Sequence, residues 1–171
     1  MVSDLTLISF NARGLRQSKK RRQLFAYIHR HNIDISFIQE THSCIADMKY
    51  WMHEWGGTII FSHGLTGSRG VFLLIKPSLT FEIIKKDICP HGRFILADLK
   101  ISERIFTLVG IYAPNVDDPN FFHSLSHRIT NFCDDTTIIA GDFNLVFNFE
   151  LDKKGGNLRT LILKLGINAW I

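Results

Sequence analysis

The residues with the clearest chemical potential end an apolar run: Thr136-Thr137-Ile138-Ile139-Ala140-Gly141 leads into Asp142-Phe143-Asn144. A β-branched run of this length reads as a strand buried on both faces. Gly141 lets the backbone leave the sheet or come close to a ligand. Period two then puts Asp142 and Asn144 on one side of the strand end. A carboxylate and an amide held there can bind or activate water, orient a phosphate or help to hold a hard cation. The same pair also suits an Asx-type turn, which needs no ligand. Three other apolar runs end in similar groups: Asn11, Glu40, and Tyr112 with Asn115. Acid, amide and phenol groups at four strand ends are what a site on a rigid scaffold needs, although any one of them alone reads as a polar loop residue.

These groups need strands and helices to hold them. In residues 4–10, Leu5, Leu7 and Ser9 alternate with Thr6, Ile8 and Phe10, apolar on both faces, which predicts a central strand. Asn11-Ala12-Arg13-Gly14-Leu15 follows as a loop. Residues 19–31 read as a helix with Leu24, Phe25 and Ile28 on its apolar face. Ile33, Ile35 and Phe37 alternate into a second strand ending in Ile38-Gln39-Glu40-Thr41. Residues 42–55 read as a helix with Ile45, Met48, Trp51 and Trp55 at helical spacing, stopped by Gly56-Gly57. Strand-like runs follow at 58–61, 71–75, 81–84, 94–99 and 105–111. Asp118-Pro119 opens a third helix with Phe121, Leu125, Ile129 and Phe132 on one stripe. After a polar loop at 152–156, Leu158, Leu161, Ile162 and Leu165 repeat at helical spacing and predict a fourth helix ended by Gly166. Two βα steps, a block of strands, then helix, strand and helix suit an α/β fold of two sheets packed face to face with helices outside.

Composition narrows the partners. At 171 residues the chain has room for one domain with a real core and too little for two. Its 46% hydrophobic and 21% charged residues exclude a disordered chain. A net charge of +4 and a pI of about 9.1 favour an anionic partner such as nucleic acid without requiring one. Cys44, Cys89 and Cys133 are odd in number and widely spaced, the pattern of reduced thiols in an intracellular protein. The start lacks the basic segment and long apolar stretch of a signal peptide, and no run is long enough to cross a bilayer.

In order and spacing, SFNARGL (9–15), IQETH (38–42), GIYAPN (110–115) and IAGDFN (139–144) resemble the endonuclease/exonuclease/phosphatase family. Within it the chain looks most like the endonuclease domain at the N-terminus of LINE-type retrotransposon polyproteins, relatives of apurinic/apyrimidinic endonucleases and exodeoxyribonuclease III. The match runs over about residues 4–152. The resemblance implies a two-sheet sandwich flanked by helices, and Mg²⁺- or Mn²⁺-dependent hydrolysis of a DNA phosphodiester by direct attack of water. DNA is then the partner, no membrane is involved, and the location is nuclear. By the same resemblance Glu40 is the main carboxylate ligand of the cation and Asn11 supports cation or phosphate. Tyr112 contacts the scissile phosphate, with Asn115 beside it on the substrate side. Asp142 orients or deprotonates the attacking water, and Asn144 helps to hold the phosphate. A repair-type abasic-site nuclease shares this chemistry, and a phosphoesterase for inositol phosphates or sphingomyelin shares the fold. A fragment that at most binds nucleic acid weakly is the reading from another class.

The match stops short on the C-terminal side. Family members finish with a further aspartate and a Ser-Asp-His-type signature, and nothing after Asn144 matches either; Asn168 stands where relatives carry aspartate. The resemblance therefore implies one domain over residues 1–171 with its last strands missing, and little activity for this polypeptide. Other signals weigh less. Lys19-Lys20-Arg21-Arg22 could clamp phosphates, but charge runs usually form a solvated helix face. His123 and His127 have a zinc-like spacing with no acid between them, which favours an exposed polar face. The glycine-rich loop 63–70 lacks a phosphate-loop pattern and reads as a strand connection with Arg69 a candidate phosphate contact.

Overall fold

The structure, a computed structural model of the chain, describes residues 4–65, 67–116, 118–132 and 136–144, together with the backbone of 161–165. Strand β1 (Leu5–Asn11) leads to helix α1 (Ser18–Arg30), strand β2 (Ile35–Gln39), a 3₁₀ turn at Ile45–Asp47 and helix α2 (Met48–Trp55). Five strands follow: β3 (Thr58–Ser62), β4 (Val71–Ile75), β5 (Glu82–Ile88), β6 (Phe94–Ile101) and β7 (Arg104–Tyr112). Helix α3 (Pro119–Ile129), strand β8 (Thr137–Asp142) and strand β9 (Leu161–Leu165) complete the described elements. One sheet has the order β3-β4-β2-β1-β9 and the other β5-β6-β7-β8.

Alternation along each strand divides its side chains between two layers. Leu5 and Leu7 of β1 and Ile35 and Phe37 of β2 face the second sheet, where they share one core with Ile95, Ala97, Leu108, Ile138 and Ala140. The intervening Ile8 and Ile38 face outward against Leu24, Phe25 and Ile28 of α1 and Trp51 and Trp55 of α2. On the far side Leu96, Val109 and Ile111 pack with Leu125 of α3 and Phe132. Helix α3 starts on Asp118, whose side chain accepts from the Phe121 amide at 3.2 Å, with Pro119 as its first residue. The outcome is a helix–sheet–sheet–helix sandwich.

Three local expectations give way. Leu161–Leu165 is not the end of a helix but a strand, paired antiparallel with residues Leu5 to Ser9 of β1. Leu161, Leu163 and Leu165 also alternate with period two, and the open edge of β1 offers unpaired backbone groups that this strand satisfies. Leu158 and Gly166, with the loop 152–156, Asn168 and Cys133, lie outside the described residues. Ile45 sits in the 3₁₀ turn and is 76% exposed, so only the later aromatic positions of its expected stripe, Trp51 and Trp55, are buried. Strand β8 is an edge strand among the described residues. Its burial alternates, with Ile138 and Ala140 buried and Ile139 45% exposed, so it is covered on one face and not on both.

The Lys19–Arg22 run divides its labour. Arg21 is only 2% exposed and donates to the carbonyls of Leu15 at 2.8 Å and Arg16 at 3.3 Å. Its guanidinium lies 4.6 Å from the Trp51 ring and pairs with Glu54 of α2, which Arg22 approaches from the solvent side at 2.9 Å. Lys20 Nζ donates to the Arg13 carbonyl at 3.1 Å. These contacts tie the β1–α1 loop to α2. Burial pushes the Glu54 carboxyl up, but the hydrogen bonds and charges of Arg21 and Arg22 outweigh it and hold the group below its usual 4.5. Because the folded pKa is depressed, Glu54 contributes stability that is fully present above 4.5 and lost as pH falls through the folded value. Glu54→Gln is expected to cost about 1–3 kcal/mol near neutral pH by leaving buried Arg21 without its counter-charge. It should also flatten the acid-side loss of stability. Urea denaturation at neutral pH and below 4.5 measures both effects.

Candidate active site

Each sheet contains one parallel pair next to the other sheet's: β1 with β2, where Asn11 pairs with Gln39, and β7 with β8, where Tyr112 pairs with Asp142. Parallel neighbours deliver their C-terminal ends to the same edge. Face-to-face packing then brings the two edges together. Asn11 and Glu40 come from one sheet, and Tyr112 and Asp142 from the other.

The side chains at these ends are joined directly. Asn11 Nδ2 donates to Glu40 Oε1 and to Asp142 Oδ2, both at 2.8 Å. One amide thus uses both its protons on two carboxylates. Its Oδ1 accepts from the Arg13 amide at 3.0 Å, and Asp142 Oδ1 likewise accepts from the Asn144 amide at 3.0 Å. The Asx-type turn and the shared carboxylate therefore coexist at Asp142. Asn144 Nδ2 donates to the Ala113 carbonyl at 2.7 Å and to Asn115 Oδ1 at 3.0 Å, and the Tyr112 hydroxyl reaches the same Oδ1 at a long 3.5 Å. Asn144 lies past the end of β8 with a left-handed φ of 49°, so the turn places it, not the strand's pleat.

Backbone hydrogen bonds knit the surrounding loops into one body. Ala12 N donates to Gln39 O at 2.8 Å, Leu15 N to Thr41 O at 3.0 Å, and His42 N to Arg69 O at 2.8 Å. Gly70 N donates to Gly92 O at 3.1 Å, Tyr112 N to Arg93 O at 2.7 Å, and Ala113 N to Asp142 O at 2.8 Å. Arg13, Glu40, His42, Arg69 and Asn144 all adopt left-handed φ, at 47°, 50°, 54°, 60° and 49°. Such conformations cost about 1–2 kcal/mol each and persist only where the surroundings over-determine them. Gly141 has φ 151°, and a Cβ there would stand 2.0 Å from the Ile111 carbonyl oxygen. Its close approach is to β7.

Tyr112 is 7% exposed. Burial, then the charge and hydrogen bonding of Glu40, push its phenol above the usual 10, with the Arg93 cation pulling the other way. The phenol is therefore a neutral donor at pH 7. Arg93 donates to the carbonyls of Tyr112 at 3.3 Å and Ala113 at 2.9 Å, with its guanidinium 5.2 Å from the Tyr112 ring centroid. Burial and then the like charge of Arg69 hold Arg93 below its usual value, which places Arg69 at the same rim. His42 Nε2 lies 3.9 Å from Glu40 Oε2. Sequence reasoning singles out neither Arg93 nor His42. His42 falls inside the IQETH run yet stands out by no spacing, and Arg93 reaches the site only through the pairing of β6 with β7. His123, His127 and Lys19 are exposed, and none of them is bonded to the described cluster.

The donor set suits a hard divalent cation, which takes carboxylate oxygens and keeps several waters. Glu40 and Asp142 each retain lone pairs beside the Asn11 contact, whereas Asn11 presents its nitrogen to them and not its oxygen. Glu40 and Asp142 are thus the candidate ligands, with Asn11 holding them. Among the described residues no group of three His, Cys, Asp or Glu side chains is gathered closely enough to hold a metal without further ligands.

The sequence model of the Endonuclease/Exonuclease/phosphatase family matches residues 8–153. The Transposon TX1 uncharacterized 149 kDa protein of Xenopus laevis is 30% identical over 157 residues, which is 90% of this chain and 12% of that protein. Among solved structures, D. rerio TDP2 complexed with single strand DNA product superposes with a TM-score of 0.65 at 20% identity, covering 91% of this chain and 66% of that one. The endonuclease domain of TRAS1, a telomere-specific non-LTR retrotransposon, superposes with a TM-score of 0.62 at 13% identity, covering 84% and 62%. At these identities the two structures establish a shared fold.

The backbone geometry under Asp142 is open to a direct check. Gly141→Ala is expected to lower the unfolding free energy by about 1–3 kcal/mol. Gly56→Ala, also at positive φ but with nothing within 4 Å of the added Cβ, should cost less. Urea unfolding of the two variants compares them, and equal losses would contradict the close approach to Ile111.

Proposed function

This chain belongs to the endonuclease/exonuclease/phosphatase family, and from that membership we propose that it hydrolyses DNA phosphodiesters by attack of water with Mg²⁺ or Mn²⁺ at Glu40 and Asp142. Its relation to the transposon TX1 protein and to the TRAS1 endonuclease supports a source in a LINE-type retrotransposon. The observation that carries most weight is the meeting of the Glu40 and Asp142 carboxylates on one amide nitrogen, 2.8 Å from each. The DNA product held by TDP2, together with the net charge of +4, supports a polyanionic substrate. A nuclear location goes with that substrate. No described helix is long and apolar enough to cross a membrane.

The residues divide the work by what each has free. When bound, the cation offsets negative charge that builds on the phosphoryl oxygens. Asp142 accepts the proton of a water oriented by Asn144 Oδ1, since both protons on Asn144 Nδ2 are engaged. The neutral Tyr112 hydroxyl donates to a non-bridging phosphate oxygen. Asn115 Nδ2, which engages no described side chain or carbonyl, and Arg69 supply further donors to substrate phosphates. Asn11 keeps both carboxylates from turning away before the substrate arrives.

Supercoiled plasmid tests the proposal. Nicking should require Mg²⁺ or Mn²⁺ and stop with a chelator, and Glu40→Ala or Asp142→Ala should each lower it by about 10²–10⁴-fold. Nicking that survives the chelator or the Asp142→Ala change would rule out this reading. Faster turnover of an inositol phosphate than of plasmid would move the activity to small phosphoesters.

A further inference from the structure

We infer that Arg93 is the positioning residue of Tyr112: its guanidinium clamps the two carbonyls at the end of β7 and lies over the phenol ring, and so sets where the hydroxyl stands. Arg93 holds this strand end three times. Its carbonyl accepts the Tyr112 amide at 2.7 Å, its Nη1 donates to the carbonyls of Tyr112 and Ala113 at 3.3 and 2.9 Å, and its guanidinium carbon sits 5.2 Å from the ring centroid. A planar fork can bind carbonyls and face a ring at once, which an ammonium cannot do.

The surroundings give Arg93 no other evident task. No described carboxylate lies within ion-pair distance of it; burial and the Arg69 charge work against its cation, and the more distant Asp118 carboxylate only partly offsets them. A partly desolvated cation without a carboxylate is a poor contributor to stability. What it does is fix a junction. The Ala113 carbonyl that it holds also accepts Asn144 Nδ2 at 2.7 Å, and the Ala113 amide donates to the Asp142 carbonyl at 2.8 Å. Tyr112, Asn144 and Asp142 therefore share one anchor, and Arg93 grips it from the residue before β6. The relevance of this to catalysis rests on the role proposed for Tyr112, but the positioning itself can be read without any turnover.

The chain has three tyrosines, Tyr27, Tyr50 and Tyr112, and the first two are exposed. With tyrosine ¹³Cζ label, each ring reports its environment at neutral pH, and Tyr112→Phe assigns the third signal. Arg93→Met should displace the Tyr112 signal at neutral pH, because the clamp on its strand end and the cation over its ring are gone. Arg93→Lys keeps a charge without the fork and should leave the neutral-pH signal displaced. Tyr27 and Tyr50 should stay in place in both variants. An unmoved Tyr112 signal, or all three signals moving together, would overturn the inference. If Arg93→Met does not fold, the Arg93→Lys signal decides alone: displaced supports, unmoved overturns. Absence of plasmid nicking by the parent protein would count against the proposed function while leaving the Tyr112 result fully interpretable.

Discussion

One amide nitrogen, Asn11 Nδ2, stands 2.8 Å from carboxylates that belong to different sheets, and the site exists only while the sheets keep that relation. Two carboxylates so close repel unless something positive lies between them. Here the donor is the amide, and the Arg13 backbone amide at its oxygen settles which way round it sits. Turned over, Asn11 would set an oxygen against both acids. The relation between the sheets rests in turn on the layer of Leu7, Phe37, Leu108 and Ile138 between them. A packed interior does not yield smoothly, so a shift of one strand in that layer is felt at its polar end.

Around this junction the chain uses cations in an unusual way. Arg21 and Arg93 lie in different layers, yet both direct guanidinium protons at main-chain carbonyls: Leu15 and Arg16 in one case, Tyr112 and Ala113 in the other. Each lies against an aromatic ring, Trp51 or Tyr112. Loop ends that would otherwise depend on water for their last carbonyls are closed by protein donors instead. Site loops of this kind behave as parts of the sheets and not as free connections.

Strands β1, β2, β4 and β7 are legible in the sequence because both of their faces are covered, which writes an apolar run ending at polar residues. The polar residues at those ends, Asn11, Glu40 and Tyr112, are legible for the same reason. Strand β8 carries a run of the same character, but apolar content does not say which face lacks a neighbour, and Ile139 is left exposed. Leu161–Leu165 carries the helical and the strand period at once, so the open edge of β1 decides between them. Arg93 is hidden from any reading by motif, because its hydrogen-bond partners are carbonyls and every residue has one; Arg21 stands in a legible basic run, but its pairing with Glu54 does not show there. Asn144 is recognisable as a site residue, but its orientation comes from a left-handed turn that no pattern of residue types announces.

The left-handed backbone at Glu40 has an evolutionary consequence. Asparagine and glycine adopt that conformation at less cost than glutamate. Replacing Glu40 by asparagine would relieve part of the strain while discarding the carboxylate. With the role proposed for Glu40, the demand for a carboxylate and the demand for an unstrained backbone pull this position in opposite directions. Wherever the carboxylate is not required, position 40 is expected to favour the residues that fit the backbone.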